Sequence, residues 1–307
     1  MSPGNMIRSL CSKFPPGFLA VELTNSCNLH CPLCSTGTGY DKKPKGLMKF
    51  EDFKTFMDKC APLFHLVGFI GSGEPLLHPQ FFKFVTYAAQ EKYKMTMCCT
   101  NGTVLKDPKA IVKSGLHEIH VDIDGLTPPQ HQLYRTGADL DTVINNVKKL
   151  VLAKKKRRSP FPAIYIDTLI SKHNENDYDR FIDLAQRLGV NGIRFDGIKE
   201  DLYKTMDWAP TLEKFQHVKR RNNDYSCSFK DALVGILSWD GQIQLCCMSP
   251  DHEQPVIKLN AFREDSILER MDSEEFYHLT KKAGHYPFCE TCFLKVYSSY
   301  QETITFQ

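Results

Sequence analysis

The sequence predicts an α/β protein: a parallel sheet built from strand–helix–strand units, followed by a smaller cysteine-bearing domain. Three observations predict it. Six short apolar runs alternate with amphipathic stretches from Phe18 to about Gly197, and such alternation produces right-handed crossovers and a parallel sheet. That pattern then fades, and four spaced cysteines and a hairpin turn take its place. The 307 residues are enough for one large α/β domain and a small one.

Phe18–Leu23 reads as the first strand. Behind it come Cys27, Cys31 and Cys34 at C-x3-C-x2-C spacing. Three thiolates on one loop can hold three corners of a cubic iron–sulfur cluster and leave the fourth iron open. A zinc knuckle is the competing reading, with His30 as a fourth ligand. Glu51–Lys59 is the first helix and Leu66–Ile70 the second strand. Gly71-Ser72-Gly73-Glu74-Pro75 follows; its glycines permit close backbone approach and its carboxylate can accept from an ammonium group. Pro79–Glu91 is a helix and Lys94–Cys99 the third strand, ending in the turn signal Thr100-Asn101-Gly102. Asp107–Ser114 is a helix. Glu118–Ile123 is the fourth strand, where Asp124 fixes a turn with Gly125.

Tyr134-Arg135-Thr136-Gly137 precedes the helix Thr142–Lys155. The basic run Lys154–Arg158 suits the negative end of that helix, and Ser159-Pro160-Phe161-Pro162 stops it. Ala163–Ile170, the helix Glu175–Leu188 and Gly192–Phe195 complete the alternation. Arg194, inside the last strand, can meet a ligand carboxylate or pair with a nearby acid. Ligands of parallel sheets bind beyond the carboxyl ends of the strands, and the cysteine loop sits at such an end.

Composition narrows the classes. The chain is 42% hydrophobic and 24% charged with net charge +3, too mild a charge to argue for nucleic acid. No apolar run approaches the ~20 residues of a membrane span, and Met1–Pro16 lacks the apolar core of a secretory signal. Twelve cysteines without an export signal favour metal binding over disulfides and place the protein in a reducing compartment, the cytoplasm. Cys11, Cys60, Cys98 and Cys99 are not assigned to metal.

The cysteine spacing and its place after a first strand resemble the radical S-adenosylmethionine (radical SAM) superfamily. The resemblance covers about residues 15–200, behind a lead-in of residues 1–14. It implies a partial (β/α)6 barrel, open on one side, in which an electron from the [4Fe-4S] cluster splits SAM. The resulting 5′-deoxyadenosyl radical abstracts hydrogen from substrate. Gly73 and Glu74 resemble the family's GGEP motif, which holds the SAM amino group, with Ser72 replacing one glycine. Asn101 falls where the family places a turn near the methionine part of SAM. Asp122 falls where serine is usual in the family's S-x-D-G segment and can accept from a ribose hydroxyl. Arg135 resembles an arginine that meets the SAM carboxylate. Leu33, beside Cys34, joins this SAM-binding set.

After a linker at Lys199–Pro210 and a helix expected over Leu212–Arg221, a hairpin is expected at Asp240-Gly241, between Leu233–Trp239 and Gln242–Cys246. A helix is expected near Ser273–Ala283. Cys227, Cys246, Cys289 and Cys292 fit tetrahedral zinc or a fully ligated [4Fe-4S] cluster; Cys247 can replace Cys246. The spacing C-x13-G-x4-C resembles a SPASM domain shortened to the Twitch form with one auxiliary cluster, over residues 201–307. The layout is most similar to the radical SAM aminocyclitol dehydrogenases that act on 2-deoxy-scyllo-inosamine. The resemblance implies an oxidoreductase for a small polar sugar or cyclitol alcohol, served by an electron donor such as flavodoxin or ferredoxin. A peptide- or protein-modifying enzyme is the second expectation. With 26 residues before Cys27, a fused leader-binding domain is not expected, which shifts weight to small substrates, although such a domain can also be a separate protein. A non-catalytic zinc-stabilised binding module is the third.

Overall fold

A computed structural model describes residues 17–40, 42–198, 208–216, 218–219, 233–244, 297–298 and 301–306. The chain winds through strand β1 (Phe18–Val21), helix α1 (Phe50–Cys60), β2 (Leu66–Phe69), α2 (Phe81–Thr86), β3 (Met95–Thr100), α3 (Pro108–Lys113) and β4 (Glu118–Asp122). It continues through α4 (Pro128–Tyr134), α5 (Leu140–Arg157), β5 (Ala163–Ile170), α6 (Tyr178–Leu188) and β6 (Gly192–Gly197). Short strands follow: β7 (Val218–Lys219), β8 (Leu233–Leu237), β9 (Ile243–Gln244), β10 (Tyr297–Ser298) and β11 (Gln301–Thr305).

Nine strands form one sheet in the order β11-β6-β5-β4-β3-β2-β1-β8-β9. Strands β1 to β6 stand side by side in chain order, each parallel to the next. This is the single winding of a (β/α) barrel, here left open, because the sheet ends on β9 and β11 instead of closing.

The sequence explains the elements locally. In α1, Phe53, Phe56, Met57 and Cys60 recur on one face and are fully buried. The Asp139 side chain accepts from Thr142 N at the start of α5, and four basic residues occupy its last turn. Outward-facing strand residues such as Phe69, Ile119, Val121, Ile166 and Phe195 join Phe53, Phe84, Ile111, Val147 and Phe181 in one buried core. The core therefore lies between sheet and helices, which frees the other face of the sheet for polar residues.

Five features differ from the sequence expectations. The helix expected over Leu212–Arg221 is replaced by a 3-10 turn, Glu213–Phe215, and then β7. Phe215 is fully buried against Tyr178, with ring centroids 5.6 Å apart, so one tertiary anchor overrides helix propensity. The helix expected over Pro79–Glu91 is split into α2 and a π-helical turn, Tyr87–Glu91. Helix α4 was not anticipated; Thr127 caps it through Gln130 N, and Pro128 starts it. The expected hairpin forms, with β8 antiparallel to β9 and Gly241 at φ 87°, but β8 also pairs in parallel with β1. Strand β11 pairs antiparallel with β6 at the opposite edge. The helix expected near Ser273–Ala283 lies outside the described residues. Among those residues, no helix is long and apolar enough to cross a membrane.

Candidate active site

The cysteine loop leaves β1 at its carboxyl end and is pinned from several directions. Asn25 Nδ2 donates to Pro44 O at 2.9 Å, and Gly46 N donates to Asn25 Oδ1 at 3.0 Å. His30 N donates to Thr136 O at 2.9 Å. Leu29, Cys31 and Ala138 form a small apolar cluster on which Cys27, Cys34 and Tyr134 pack. None of the three cysteines is in a disulfide; Cys31 is buried and the other two are half-buried. Burial pushes the Cys27 thiol up and the Cys31 thiol up to about 12. Metal ligation requires thiolates, so loading this loop releases protons. His30, the alternative zinc ligand, is exposed.

Glu74 lies at the centre of the second motif. It is 3% exposed, yet its carboxylate accepts from Leu76 N at 3.0 Å, Thr100 Oγ1 at 2.8 Å and Asn101 N at 2.8 Å. Burial raises its pKa, and the three donors oppose that rise. The carboxylate thus ties the end of β2 to the end of β3. Its own N–H donates to Ser26 O at 2.9 Å, next to Cys27. Gly73 makes this closeness possible: a Cβ there would lie 2.3 Å from Thr24 O and 2.5 Å from Ser26 O. Asn101 reaches the cysteine loop from β3, with Nδ2 3.0 Å from Asn28 Oδ1.

Arg135 is held by two carboxylates. Its Nη1 lies 3.1 Å from Asp122 Oδ2, and its Nε donates to Asp124 Oδ2. Asp124 does more than fix a turn, because its Oδ1 also accepts from Leu169 N at 2.6 Å. Burial is the main cause that raises Asp122 to about 7; Arg135 opposes it, and Asp124 and Asp167 add to it. Leu33 is buried beside Cys34.

Alternation along β4, β5 and β6 puts a polar row on the face opposite the apolar core. Asp122 pairs in register with Asp167, and Asp167 with Arg194; one step down, His120 pairs with Tyr165. His120 Nδ1 lies 2.8 Å from Asp167 Oδ1, and its Nε2 lies 3.5 Å from Glu118 Oε2. Arg194 Nη2 donates to Asp167, and Arg194 Nε lies 3.3 Å from Asp196 Oδ2. Of the two roles open to Arg194, the structure shows the ion pair. Burial alone would lower the His120 pKa. The Asp167 charge and its hydrogen bond, with help from Glu118, outweigh burial and lift the pKa to about 9. A small pocket, partly open to solvent, lies at the carboxyl ends of β4–β6 and is lined by Asp124, Tyr134, Leu169, His173 and Trp208.

The structure therefore brings Cys27, Cys31, Cys34, Gly73, Glu74 and Asn101 to one loop cluster, with Arg135 within electrostatic reach of Cys31. Glu118, His120, Asp167 and Asn28 carried no assigned role in the sequence. The polar residue at every second position of β4 is the signal that could have found the first two. Cys227, Cys246, Cys289 and Cys292 lie outside the described residues.

The profile of the radical SAM superfamily matches residues 21–185, more than half of the chain, and the chain belongs to that superfamily. It is 22% identical over 314 residues to the tungsten-containing aldehyde ferredoxin oxidoreductase cofactor-modifying protein of Pyrococcus furiosus, covering 91% of this chain and 87% of that one. It is 30% identical over 180 residues to the AdoMet-dependent heme synthase of Methanosarcina barkeri, covering 57% of this chain and 48% of the relative. The match thus spans about half of that relative's length. Streptococcus suis SuiB bound to S-adenosylmethionine superposes with a TM-score of 0.68 at 13% identity, over 95% of this chain and 76% of that one. BtrN in complex with AdoMet and 2-DOIA superposes at 0.54 and 17% identity, over 92% and 93%. These structural likenesses show the fold. Family membership implies a [4Fe-4S] cluster and SAM.

The residues present fit those groups. The loop offers three thiols and no other soft donor. Thr36 Oγ1 in the same loop is buried with no hydrogen-bond partner. Among the described residues, no three His, Cys, Asp or Glu side chains close on one ion-sized point.

Proposed function

We propose that the chain is a radical SAM oxidoreductase of the dehydrogenase type, acting on a small polar molecule such as a sugar or cyclitol alcohol. The observation that carries this reading is the charged row Glu118, His120, Asp122, Asp167, Arg194 and Asp196 on the free face of β4–β6. A face of fixed charges and hydrogen-bonding groups suits a substrate rich in hydroxyl or amino groups and would leave a greasy one poorly solvated.

In this reading Cys27, Cys31 and Cys34 hold the cluster. Leu33, Gly73, Glu74, Asp122 and Arg135 form the SAM side of the site, and Asn101 joins that side to the cysteine loop through Asn28. When bound, the cluster and SAM would supply a 5′-deoxyadenosyl radical that takes a hydrogen atom from substrate carbon; the second electron would pass to the auxiliary cluster and the hydroxyl proton to solvent. The apolar packing of Leu29, Ala138 and Tyr134 shields Cys31 from water. His120, protonated at neutral pH, and Asp167 hold fixed positive and negative charge below the site. Cys227, Cys246, Cys289 and Cys292 hold an auxiliary [4Fe-4S] cluster in a Twitch-type domain spanning 201–307, behind a barrel spanning 15–200. A flavodoxin or ferredoxin supplies the reducing electron.

A second reading is a peptide- or protein-modifying enzyme. It is favoured by SuiB, whose structure bound to precursor peptide SuiA superposes with a TM-score of 0.66. Deuterated substrates separate the two. The reduced, anaerobically reconstituted protein is incubated with SAM and carbon-deuterated cyclitols, sugars or peptides. Deuterium in the released 5′-deoxyadenosine with a cyclitol or sugar supports the first reading. Deuterium transferred only from a peptide replaces it with the second.

A further inference from the structure

Asn101 joins the turn after β3 to the cysteine loop through a closed ring of side chains. Thr103 N and Thr103 Oγ1 donate to Asn101 Oδ1 at 3.0 and 2.6 Å. A backbone N–H can only donate, so Oδ1 faces Thr103 and Nδ2 faces the cysteines. Nδ2 donates to Asn28 Oδ1 at 3.0 Å and lies 3.9 Å from Cys27 Sγ. Asn28 Nδ2 donates to Thr103 Oγ1 at 2.8 Å and closes the ring. Both amide hydrogens of Asn101 are thereby directed at the loop. Asn101 is only 5% exposed, and its backbone N–H is fixed on Glu74.

We propose that Asn101 is a positioning residue for the iron–sulfur cluster: it orders the Cys27–Leu29 turn and raises the cluster's reduction potential by donating to Cys27 Sγ. The proposal rests on the reading that Cys27 is a cluster ligand. Reduction adds negative charge that spreads onto the thiolate sulfurs, and an N–H aimed at a sulfur stabilises that charge. Hydrogen bonding to sulfur is one of the levers that set cluster potentials. Leu29 N, 3.5 Å from the same sulfur, supplies a second, backbone donor. The amide of Asn101 therefore acts on SAM through the cluster, with no N–H left over for a direct bond.

The test is an EPR-monitored redox titration of the full-length, anaerobically reconstituted protein without SAM. The relevant signal is the one that changes when SAM is added afterwards. Wild type is compared with Asn101→Ala, Asn101→Asp and Cys27→Ala. At a fixed potential, the reduced-to-oxidised ratio is expected to fall about tenfold in Asn101→Ala, equivalent to 59 mV for one electron. It is expected to fall further in Asn101→Asp, where a carboxylate replaces the donor. Equal potentials in wild type and both variants, or the reverse order, would overturn the proposal. A variant that takes up no iron is replaced by Thr103→Val, which loosens the ring but keeps the amide. That variant should show a smaller shift in the same direction, and no shift overturns the proposal. If Cys27→Ala keeps a SAM-responsive cluster, the ligand reading itself fails. If Cys27→Ala loses that cluster while the Asn101 variants match wild type, only the proposal fails.

Discussion

Replacing His120 with Gln should flatten the pH dependence of stability between pH 7 and 8. His120 is 7% exposed and sits between Asp167 and Glu118. Its pKa rises from 6.5 to about 9 on folding, because the acidic partners outweigh the burial that alone would lower it. A raised pKa means that the folded state binds the proton more tightly. The resulting stability is fully present below pH 6.5 and is lost as pH rises through 9. Integrating the linkage relation gives a loss on the order of 1 kcal/mol between pH 7 and pH 8. Asp122, raised to about 7 by burial against the opposing pull of Arg135, loses stability in the same direction over this interval, by less than His120. The wild type should therefore lose on the order of 1 kcal/mol more stability than His120→Gln from pH 7 to 8. Anaerobic urea unfolding of both proteins at the two pH values measures the difference, and any contribution of bound cluster cancels in the comparison. Parallel pH profiles for the two proteins would refute the claim that His120 is held charged by Asp167.

Further outcomes follow from the cysteine loop. Gly73→Ala places a methyl within 2.6 Å of two backbone oxygens at the root of the loop; we expect a loss of about 1–3 kcal/mol in stability, typical of an overpacked site, and iron incorporation reduced several-fold, read by iron per chain. Cys31→Ala should abolish SAM cleavage, measured as 5′-deoxyadenosine released after reduction. Cys289→Ala should leave uncoupled cleavage partly intact while stopping substrate turnover. Equal loss in both cysteine variants would show that the second set only supports folding.

The parts of this site that were readable in the sequence are those whose partners lie nearby in the chain. Cys27, Cys31 and Cys34 are seven residues apart end to end, so their spacing alone states a ligand set. Six strands were readable because apolar runs and turn residues are local signals. The helix α4 carried a usable local signal in Thr127-Pro128 that composition obscured. Tertiary partnership was not readable. Asp124 looks like a turn residue beside Gly125, yet its carboxylate serves Arg135, 11 residues on, and Leu169, 45 residues on. Strand β11 joins β6 across more than a hundred residues, and no local pattern specifies that pairing. Phe215 looks like one apolar position of a helix and becomes instead the anchor of a short turn.

The central claim is that three thiolates hold a cluster with one iron left for SAM. Iron analysis combined with EPR of the reduced protein, before and after SAM, tests it most directly. The account predicts about eight irons per chain, from two four-iron clusters, and a SAM-induced change in one signal that disappears in Cys31→Ala. Zinc in place of iron, or a cluster spectrum indifferent to SAM, would contradict it.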